Sequence, residues 1–170
     1  DHVKKGCYPD CDMLPLGHLG KGFGQEWECG LTHEEQRTMM TLWCMFRSPL
    51  MLGCELTKLD EWTKSLITNR SLLSLLKEDR HGRQIARTDD YAVWVNESAN
   101  GGALYVALFN LKDSATKLSI DFKELLEDIA EEAELELWDL WEDFKVQTIH
   151  QTIETEIASH GVKAYLCVSA

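Results

Sequence analysis

Basic residues are scarce in this chain of 170 residues: 17 lysines and arginines stand against 29 aspartates and glutamates. The formal net charge is −12. Because nucleic-acid binding depends mainly on the neutralisation of phosphates by basic side chains, we expect no nucleic-acid partner. The same charge argues against binding to anionic membrane surfaces. Much of it lies between residues 127 and 143, which we interpret as a solvated face, since no EF-hand-like spacing of calcium ligands is present.

Long apolar runs, a signal peptide and Cys-x-x-Cys pairs are also missing. We therefore expect no membrane segment, no structural zinc site and no cofactor. Reduced, buried thiols are the favoured state of the six cysteines, and they favour a cytoplasmic location. Secretion stays open if a signal lies upstream, and a disulfide between the first two cysteines stays open as well. The six are Cys7, Cys11, Cys29, Cys44, Cys54 and Cys167.

A stiff segment near the start of the chain carries the most informative residues. Pro9 and Pro15 bracket Asp10 and Asp12 there. Proline fixes φ and removes a backbone donor, so the segment is not a helix interior, and the residue before each proline is biased towards extended geometry. We predict a short buried strand around Gly6–Tyr8 that opens into a rigid loop. Barrel enzymes place substrate-contacting groups on loops of this kind, at the ends of strands.

The segment Tyr8–Leu14 resembles the Trp-Asn-Asp-Pro-Asp-Met-Leu segment of the family-27 glycoside hydrolases, which are α-galactosidases and α-N-acetylgalactosaminidases. The Pro-Asp-x-Asp-Met-Leu-Pro-Leu-Gly form of the bacterial branch is closer still. Each later match is short, but the matches follow the order expected for the family. They are Leu31–Gln36, Thr41–Trp43, Arg47–Gly53, Thr68–Asn69 and His81–Gln84.

The resemblance implies an α+β fragment. Residues 1–82 would be the last two βα units of a (β/α)₈ barrel, and residues 83–170 an antiparallel β-sandwich. A complete barrel needs roughly 250 residues, so none is expected here. The implied function is the C-terminal portion of a retaining glycoside hydrolase that releases terminal α-linked galactose or N-acetylgalactosamine. The alternative is a non-catalytic sandwich that binds carbohydrate or supports a partner.

The same resemblance implies which residues contact the carbohydrate substrate. The family's nucleophile and acid/base are aspartates in motifs that this chain does not contain, so no catalytic residue is expected and the isolated chain should be inactive. Asp12 would accept hydrogen bonds from a sugar hydroxyl or a neighbouring arginine, and Met13 would offer apolar contact. A brace role for the loop is the alternative for Asp12, and the expected role of Asp10. Adjacent loop acids cannot flank a glycosidic bond from two sides, so they are not the catalytic pair.

Two further positions leave alternatives open. Trp27 lies in a glycine-rich region, residues 18–30, that reads as a long loop, where it would stack on a sugar or cap a barrel core. Glu55 follows the apolar run Ser48–Gly53, which predicts a parallel strand covered on both faces. A role in ordering the loop and a contact with the sugar both remain possible for Glu55.

Helix signals are clearest between Thr32 and Phe46. Thr32 and Glu35 have the spacing of a capping box, and the apolar face should contain Met39, Leu42, Trp43 and Phe46. Two shorter helices are predicted at residues 61–68 and 70–78, capped by Asp60 and Asn69. If the chain exists alone, apolar groups of the first helix and of residues 50–52 would lack partners. We then expect self-association, or a disordered first 55 residues beside an ordered sandwich.

After Arg83 the pattern changes to alternating strands separated by turn residues. Asn100-Gly101-Gly102 is a hairpin signal, and a helical turn is predicted at residues 122–129. The predicted strands are residues 84–87, 91–96, 103–110, 116–121, 135–140, 152–157 and 162–168.

Overall fold

The computed structural model of the chain describes residues 6–77, 82–98, 102–121, 134–150 and 152–169. Helices dominate the first half and antiparallel strands the second, as the sequence predicts. Within these ranges, no helix is both long and apolar enough to cross a bilayer. The helical turn predicted at residues 122–129 and the centre of the hairpin signal at residues 99–101 lie outside the described residues.

Three helices follow one another in the first half: α1 (His33–Phe46), α2 (Glu61–Ile67) and α3 (Arg70–Leu73). The predicted capping box of α1 is confirmed, because Thr32 Oγ1 accepts the Glu35 N–H and the Glu35 carboxylate accepts the Thr32 N–H. The predicted caps of α2 and α3 are also confirmed. The helix predicted over residues 70–78 is wrong in its length, because the α-helical turn gives way to a 3₁₀ turn at Ser74–Lys77.

Six strands form one antiparallel sheet, in the order β3-β4-β5-β10-β7-β8, and β6 pairs with β9 in a second sheet. Every strand predicted after residue 83 is found, and β8 is additional. β8 was not predicted, although Phe144–Gln147 alternate between apolar and polar residues; five of its six residues stay exposed because the strand lies at the edge of the sheet. The strands are β1 (His18–Leu19), β2 (Trp27–Glu28), β3 (Arg83–Arg87), β4 (Tyr91–Glu97), β5 (Ala103–Asn110), β6 (Thr116–Asp121), β7 (Leu135–Asp139), β8 (Phe144–Ile149), β9 (Thr152–Ile157) and β10 (Val162–Ser169).

The central strands of the six-stranded sheet are buried on both faces. Along β5, Val106 and Leu108 belong to a core shared with β6 and β9, whereas Ala107 and Phe109 belong to a core shared with α1. Successive side chains of a strand point to opposite faces, so a strand covered on both sides reads as a continuous apolar run. The molecule therefore has three layers, with the helices on one side of the sheet and the β6–β9 pair on the other.

The buried face of α1 is shifted from the predicted one. Met40, Cys44 and Met45 are fully buried, while the predicted Met39, Leu42 and Trp43 are half-buried and pack at the edge of the core. Both stripes are apolar and both have helical spacing, so periodicity alone does not say which one lies at the centre. The sheet decides it, because α1 packs over the face that carries Ala107 and Phe109.

The two strands predicted in the first half are largely absent from the described residues. No strand of two or more residues forms at Gly6–Tyr8, and the Ser48–Gly53 run contributes one isolated parallel bridge, between Leu52 and Leu14. In that bridge the Leu14 N–H donates to the Met51 carbonyl at 2.8 Å, and the Gly53 N–H donates to the Leu14 carbonyl at 3.0 Å. A parallel strand extends when it has neighbours on both edges, and only one such neighbour lies within the described chain.

The cysteines are free thiols, so the open alternative of a Cys7–Cys11 disulfide is wrong. The expectation of buried thiols holds for Cys44 and Cys167 only; Cys7 is exposed and the other three are half-buried. Burial raises the pKa of both buried thiols to about 12. These two side chains are protonated at neutral pH and act as small apolar groups in the two cores.

Asn110, at the end of β5, provides a test of this architecture. Its buried amide nitrogen contacts the carbonyl oxygens of Ser114, Ile157 and Ala158 at 2.8–3.1 Å, and its oxygen accepts the Lys112 N–H. Each buried polar group left without a partner costs about 1–3 kcal/mol, so Asn110→Ala should lower the free energy of unfolding by about 2–4 kcal/mol.

Chemical denaturation of the purified chain measures this change. Ser119→Ala, at an exposed position of β6, is the control and should stay within about 0.5 kcal/mol of wild type. Equal stability of the two variants would contradict the bridging role of Asn110.

Candidate functional site

The loop that carries Asp12 and Met13 is held by its own side chains. Asp10 Oδ1 accepts the Asp12 N–H at 2.9 Å, and Asp12 Oδ1 accepts the Met13 N–H at 2.7 Å. Asp12 has a φ of 68°, in the left-handed region that a short polar side chain with local hydrogen bonds tolerates. The predicted brace role of Asp10 is therefore confirmed, and the Asp12 carboxylate also contacts its own loop.

Contacts to α1 and the residues after it fix the position of this loop. The Cys11 N–H donates to the buried Ser48 hydroxyl at 3.0 Å, and Trp43 Nε1 donates to the Asp12 carbonyl at 3.1 Å. The Arg47 guanidinium lies over the Tyr8 ring, 4.7 Å from its centre. Asp12 and the residues before it are thus tied to the C-terminal end of α1.

The bridge between Leu14 and Leu52 brings Gly53 next to Met13. A Cβ atom at Gly53 would lie 3.2 Å from the Leu14 carbonyl oxygen and 3.5 Å from Met13 Cβ, so the two segments touch at this glycine. The Asp12 side chain is exposed and Met13 keeps 48% of its surface exposed. A carboxylate acceptor and an apolar thioether therefore reach solvent together, at one end of two parallel segments.

Residues 18–30, predicted as a long loop, contain a short hairpin. Strands β1 and β2 pair through His18–Glu28 and Leu19–Trp27, and a 3₁₀ turn, Lys21–Phe23, forms the tip. Strands of two residues are too short for a periodic signal, which explains why the sequence predicts a loop. A weaker signal exists, because Glu26 and Glu28 are two residues apart and so lie on one side of an extended chain.

A group of four side chains, which we call the His18 cluster, attaches this hairpin to the body of the molecule. His18 Nδ1 lies 2.6 Å from Glu28 Oε1, and His18 Nε2 lies 2.5 Å from Glu26 Oε2. Lys58 Nζ lies 2.5 Å from the same Glu26 oxygen. Hydrogen bonds that the His18 ring donates to Glu28 and then to Glu26 raise the pKa of His18, and hydrogen bonds from Lys58 and then His18 lower the pKa of Glu26 to about 2.

Glu55 orders the neighbouring loop. Its carboxylate accepts hydrogen bonds from the Thr57 N–H and hydroxyl and pairs with Lys21 at 2.9 Å. The Thr57 hydroxyl, then Lys21, hold the Glu55 pKa at about 2. The Glu55 N–H also donates to the His18 carbonyl at 2.8 Å. Of the two roles left open for Glu55, the contacts favour the ordering of the loop.

Comparison with known proteins assigns the chain. Residues 88–167 match the family described as the alpha galactosidase C-terminal beta sandwich domain. Among curated proteins, the α-galactosidase of Cyamopsis tetragonoloba is 25% identical over 95% of this chain. Among solved structures, a GH27 β-L-arabinopyranosidase from Geobacillus stearothermophilus is 36% identical over 97% of the chain, with a TM-score of 0.85. A putative α-N-acetylgalactosaminidase from Bacillus halodurans is 34% identical over the whole chain, with a TM-score of 0.87.

The chain is similar, over nearly its whole length, to the C-terminal part of family-27 glycoside hydrolases. It spans 36% of the Cyamopsis tetragonoloba protein and 38–41% of the two solved chains. The matches run over nearly all of the chain, so they include the helical first half of this family-27 segment as well as its sandwich.

The His18 cluster should make the hairpin sensitive to pH. A raised His18 pKa contributes stability that is complete below its usual value of 6.5 and is lost as pH rises through the raised value. A lowered Glu26 pKa contributes stability that is complete above 4.5 and is lost as pH falls towards about 2. We expect the hairpin to be most protected between pH 4.5 and pH 6.5.

Amide hydrogen exchange over residues 18–28, corrected for the intrinsic effect of pH on exchange, measures this at about pH 6 and about pH 9. Protection should fall at the higher pH in the wild-type chain and should not depend on pH in His18→Gln. Peptides from α1 serve as the internal control. The same pH dependence in wild type and variant would exclude His18 as its origin.

Proposed function

We propose that this chain completes the catalytic domain of a retaining glycoside hydrolase that releases terminal α-linked galactose, or N-acetylgalactosamine, from glycosides. The observation that carries the proposal is the pair of parallel segments at Leu14 and Leu52, with Asp12 and Met13 exposed beside them. The 34–36% identity to solved family-27 enzymes over nearly the whole chain supports it.

In this proposal, residues 1–82 supply the last two βα units of a (β/α)₈ barrel, and residues 83–170 form the sandwich that packs behind them. The helix α1 would connect the two parallel segments, as a crossover helix does between parallel strands. Active sites of such barrels lie at the carboxyl ends of the strands, and Asp12 and Met13 would follow the strand predicted at Gly6–Tyr8. The exposure of Met51, 53%, agrees with a surface that upstream strands would cover.

Asp12 and Met13 would line the sugar pocket. Asp12 Oδ1 accepts the Met13 N–H, which leaves the exposed second oxygen available to accept a sugar hydroxyl. A carboxylate held by its own loop needs little reorganisation when the substrate binds. Met13 would pack against the apolar face of the sugar ring.

Retaining hydrolysis needs a nucleophilic carboxylate and an acid/base carboxyl, about 5–5.5 Å apart and on the two sides of the glycosidic bond. We assign both to the part of the protein upstream of this chain. Asp10 and Asp12 do not fit these roles, because each carboxylate accepts a backbone N–H of the same loop. The chain's own residues would bind and orient the sugar.

The sugars considered in this proposal are those on which the named relatives act. The curated relatives are α-galactosidases, and the two solved proteins are a β-L-arabinopyranosidase and a putative α-N-acetylgalactosaminidase. L-Arabinopyranose has the ring configuration of galactose without the hydroxymethyl group, so these sugars share the hydroxyls that a carboxylate such as Asp12 can bind. The non-catalytic module is disfavoured, because the matches extend over the helical half and not over the sandwich alone.

The isolated chain of 170 residues should not hydrolyse an aryl α-galactoside. Without a positioned nucleophile and proton donor, binding by the remaining pocket groups does not raise the rate of bond cleavage. Release of nitrophenol from p-nitrophenyl α-galactoside measures the activity, and the complete protein is the positive control.

Light scattering on the same sample should show self-association, because Met51 and its apolar neighbours would lack the upstream strands. Clear turnover by the isolated chain would show that its own residues include the catalytic pair. A monomer resistant to proteolysis would contradict the missing barrel surface.

In the complete protein, Asp12→Asn should preserve folding and reduce turnover, because it removes a charge from the pocket and keeps the shape. A hydrogen bond to a charged group contributes about 1.5–3 kcal/mol, which corresponds to a loss of roughly ten- to a hundredfold in kcat/KM. Asp10→Asn is the matched control, since an amide oxygen can still accept the Asp12 N–H. Steady-state kinetics with Tm as a folding check distinguish the two, and equal activity would leave Asp12 with a brace role only.

A further inference from the structure

We propose that the aromatic tip of the hairpin, formed by Phe23 and Trp27, binds the leaving-group side of the substrate, that is, the sugar or aryl group attached to the galactose. This inference rests on the proposed function, because it needs a galactose pocket beside Asp12. It adds a contact for the part of the substrate that the pocket does not hold.

The aromatic tip is exposed to an unusual degree. Phe23 keeps 84% of its surface exposed and Trp27 keeps 49%. The two residues meet at Gly20: the Phe23 N–H donates to the Gly20 carbonyl at 2.8 Å, and the Trp27 ring covers the same glycine so closely that a Cβ there would lie 2.2 Å from it. Two large aromatic side chains therefore share one small projection of the surface.

The tip is rigid despite this exposure. Gly20 and Gly24, on either side of the 3₁₀ turn, have φ values of 86° and 76°, which glycine adopts without strain. Below the tip, the His18 cluster and the Lys21–Glu55 pair attach the hairpin to the loop that follows Gly53. A pre-organised aromatic side chain loses little conformational entropy when a ligand binds.

The position of the hairpin connects it to the candidate pocket. Gly53 lies against Met13, and Glu55, two residues later, holds both the His18 carbonyl and Lys21. The base of the hairpin is thus connected, through Glu55, to the segment that contacts Met13. A group that extends from a sugar bound at Asp12 towards this side would meet the aromatic tip.

The chemistry of the tip suits a neutral ring. An aromatic face packs on the apolar face of a sugar or on an aryl group, and such contacts are typical of ligand sites that are otherwise orientated by a few polar groups. Lys21, the basic residue of the 3₁₀ turn, is paired with Glu55, so the tip offers no free charge of its own for an anionic group. A second copy of the chain is the competing occupant, and the experiment below separates it.

The test uses the complete protein and two substrates that differ only in their leaving groups. Raffinose carries a disaccharide, whereas α-galactosyl fluoride carries fluoride, which has no ring to stack. Phe23→Ala should lower kcat/KM for raffinose about tenfold and change kcat/KM for the fluoride less than about twofold. Phe23→Tyr should restore most of the raffinose activity. Phe144→Ala, at an exposed position on β8, is the matched control and should leave both values unchanged.

Each other outcome overturns the inference. Equal losses on both substrates would mean that Phe23 supports the pocket or the fold, and no loss on either would mean that the tip makes no contact. A change in molar mass of Phe23→Ala by light scattering would identify the tip as a contact between copies. If wild type hydrolyses the fluoride and Phe23→Ala does not change kcat/KM for raffinose, the inference is wrong but the proposed function stands. If wild type turns over neither substrate, the inference fails; the proposed function fails as well if p-nitrophenyl α-N-acetylgalactosaminide is not hydrolysed either.

Discussion

The parallel bridge between Leu14 and Leu52 is the constraint on which the candidate site depends. Two hydrogen bonds bring the Asp12 loop against Gly53, and a side chain at Gly53 would be only 3.2 Å from the Leu14 carbonyl oxygen. The same approach brings the loop after Gly53 within reach of the hairpin. Asp12, Met13 and the hairpin are therefore positioned by one pair of backbone segments. The helix α1 connects these two segments and sets the distance between them.

The six-stranded sheet in turn fixes α1. Because β5 sends alternate side chains into two different cores, the centre of the sheet is covered on both faces, by α1 on one side and by the β6–β9 pair on the other. Arg37 of α1 lies between the rings of Trp62 and Trp141, 5.2 Å and 5.5 Å from their centres. Trp141 also donates to the Thr41 hydroxyl. The sandwich thus serves the site indirectly, by holding the helix that connects the two parallel segments.

Two kinds of interaction hold the two parts of the site. The Asp12 loop depends on uncharged hydrogen bonds to Ser48 and Trp43 and on its own aspartates, which salt and pH affect little near neutrality. The hairpin depends on the His18 cluster, whose exposed ion pairs are weakened by salt and by deprotonation of His18. The segment proposed to contact the leaving group is for this reason the more responsive of the two to solution conditions.

Local chemistry made much of this structure predictable from the sequence. The capping box at Thr32, the caps at Asp60 and Asn69, and the apolar run of β5 all depend on neighbouring residues, and each was found where predicted. The brace role of Asp10 in its loop was predictable for the same reason.

Tertiary structure alone decided the rest. Which stripe of α1 is buried depends on the sheet beneath it, and the exposed strand β8 exists because β7 offers it an edge to pair with. The hairpin forms because the His18 ring contacts two carboxylates. Lys58, 40 residues away from His18, contacts one of the same carboxylates. The contacts of Lys58 join residues far apart in the chain. The sequence determines the residue types that can make such contacts, whereas the packing of the folded chain determines which of them meet.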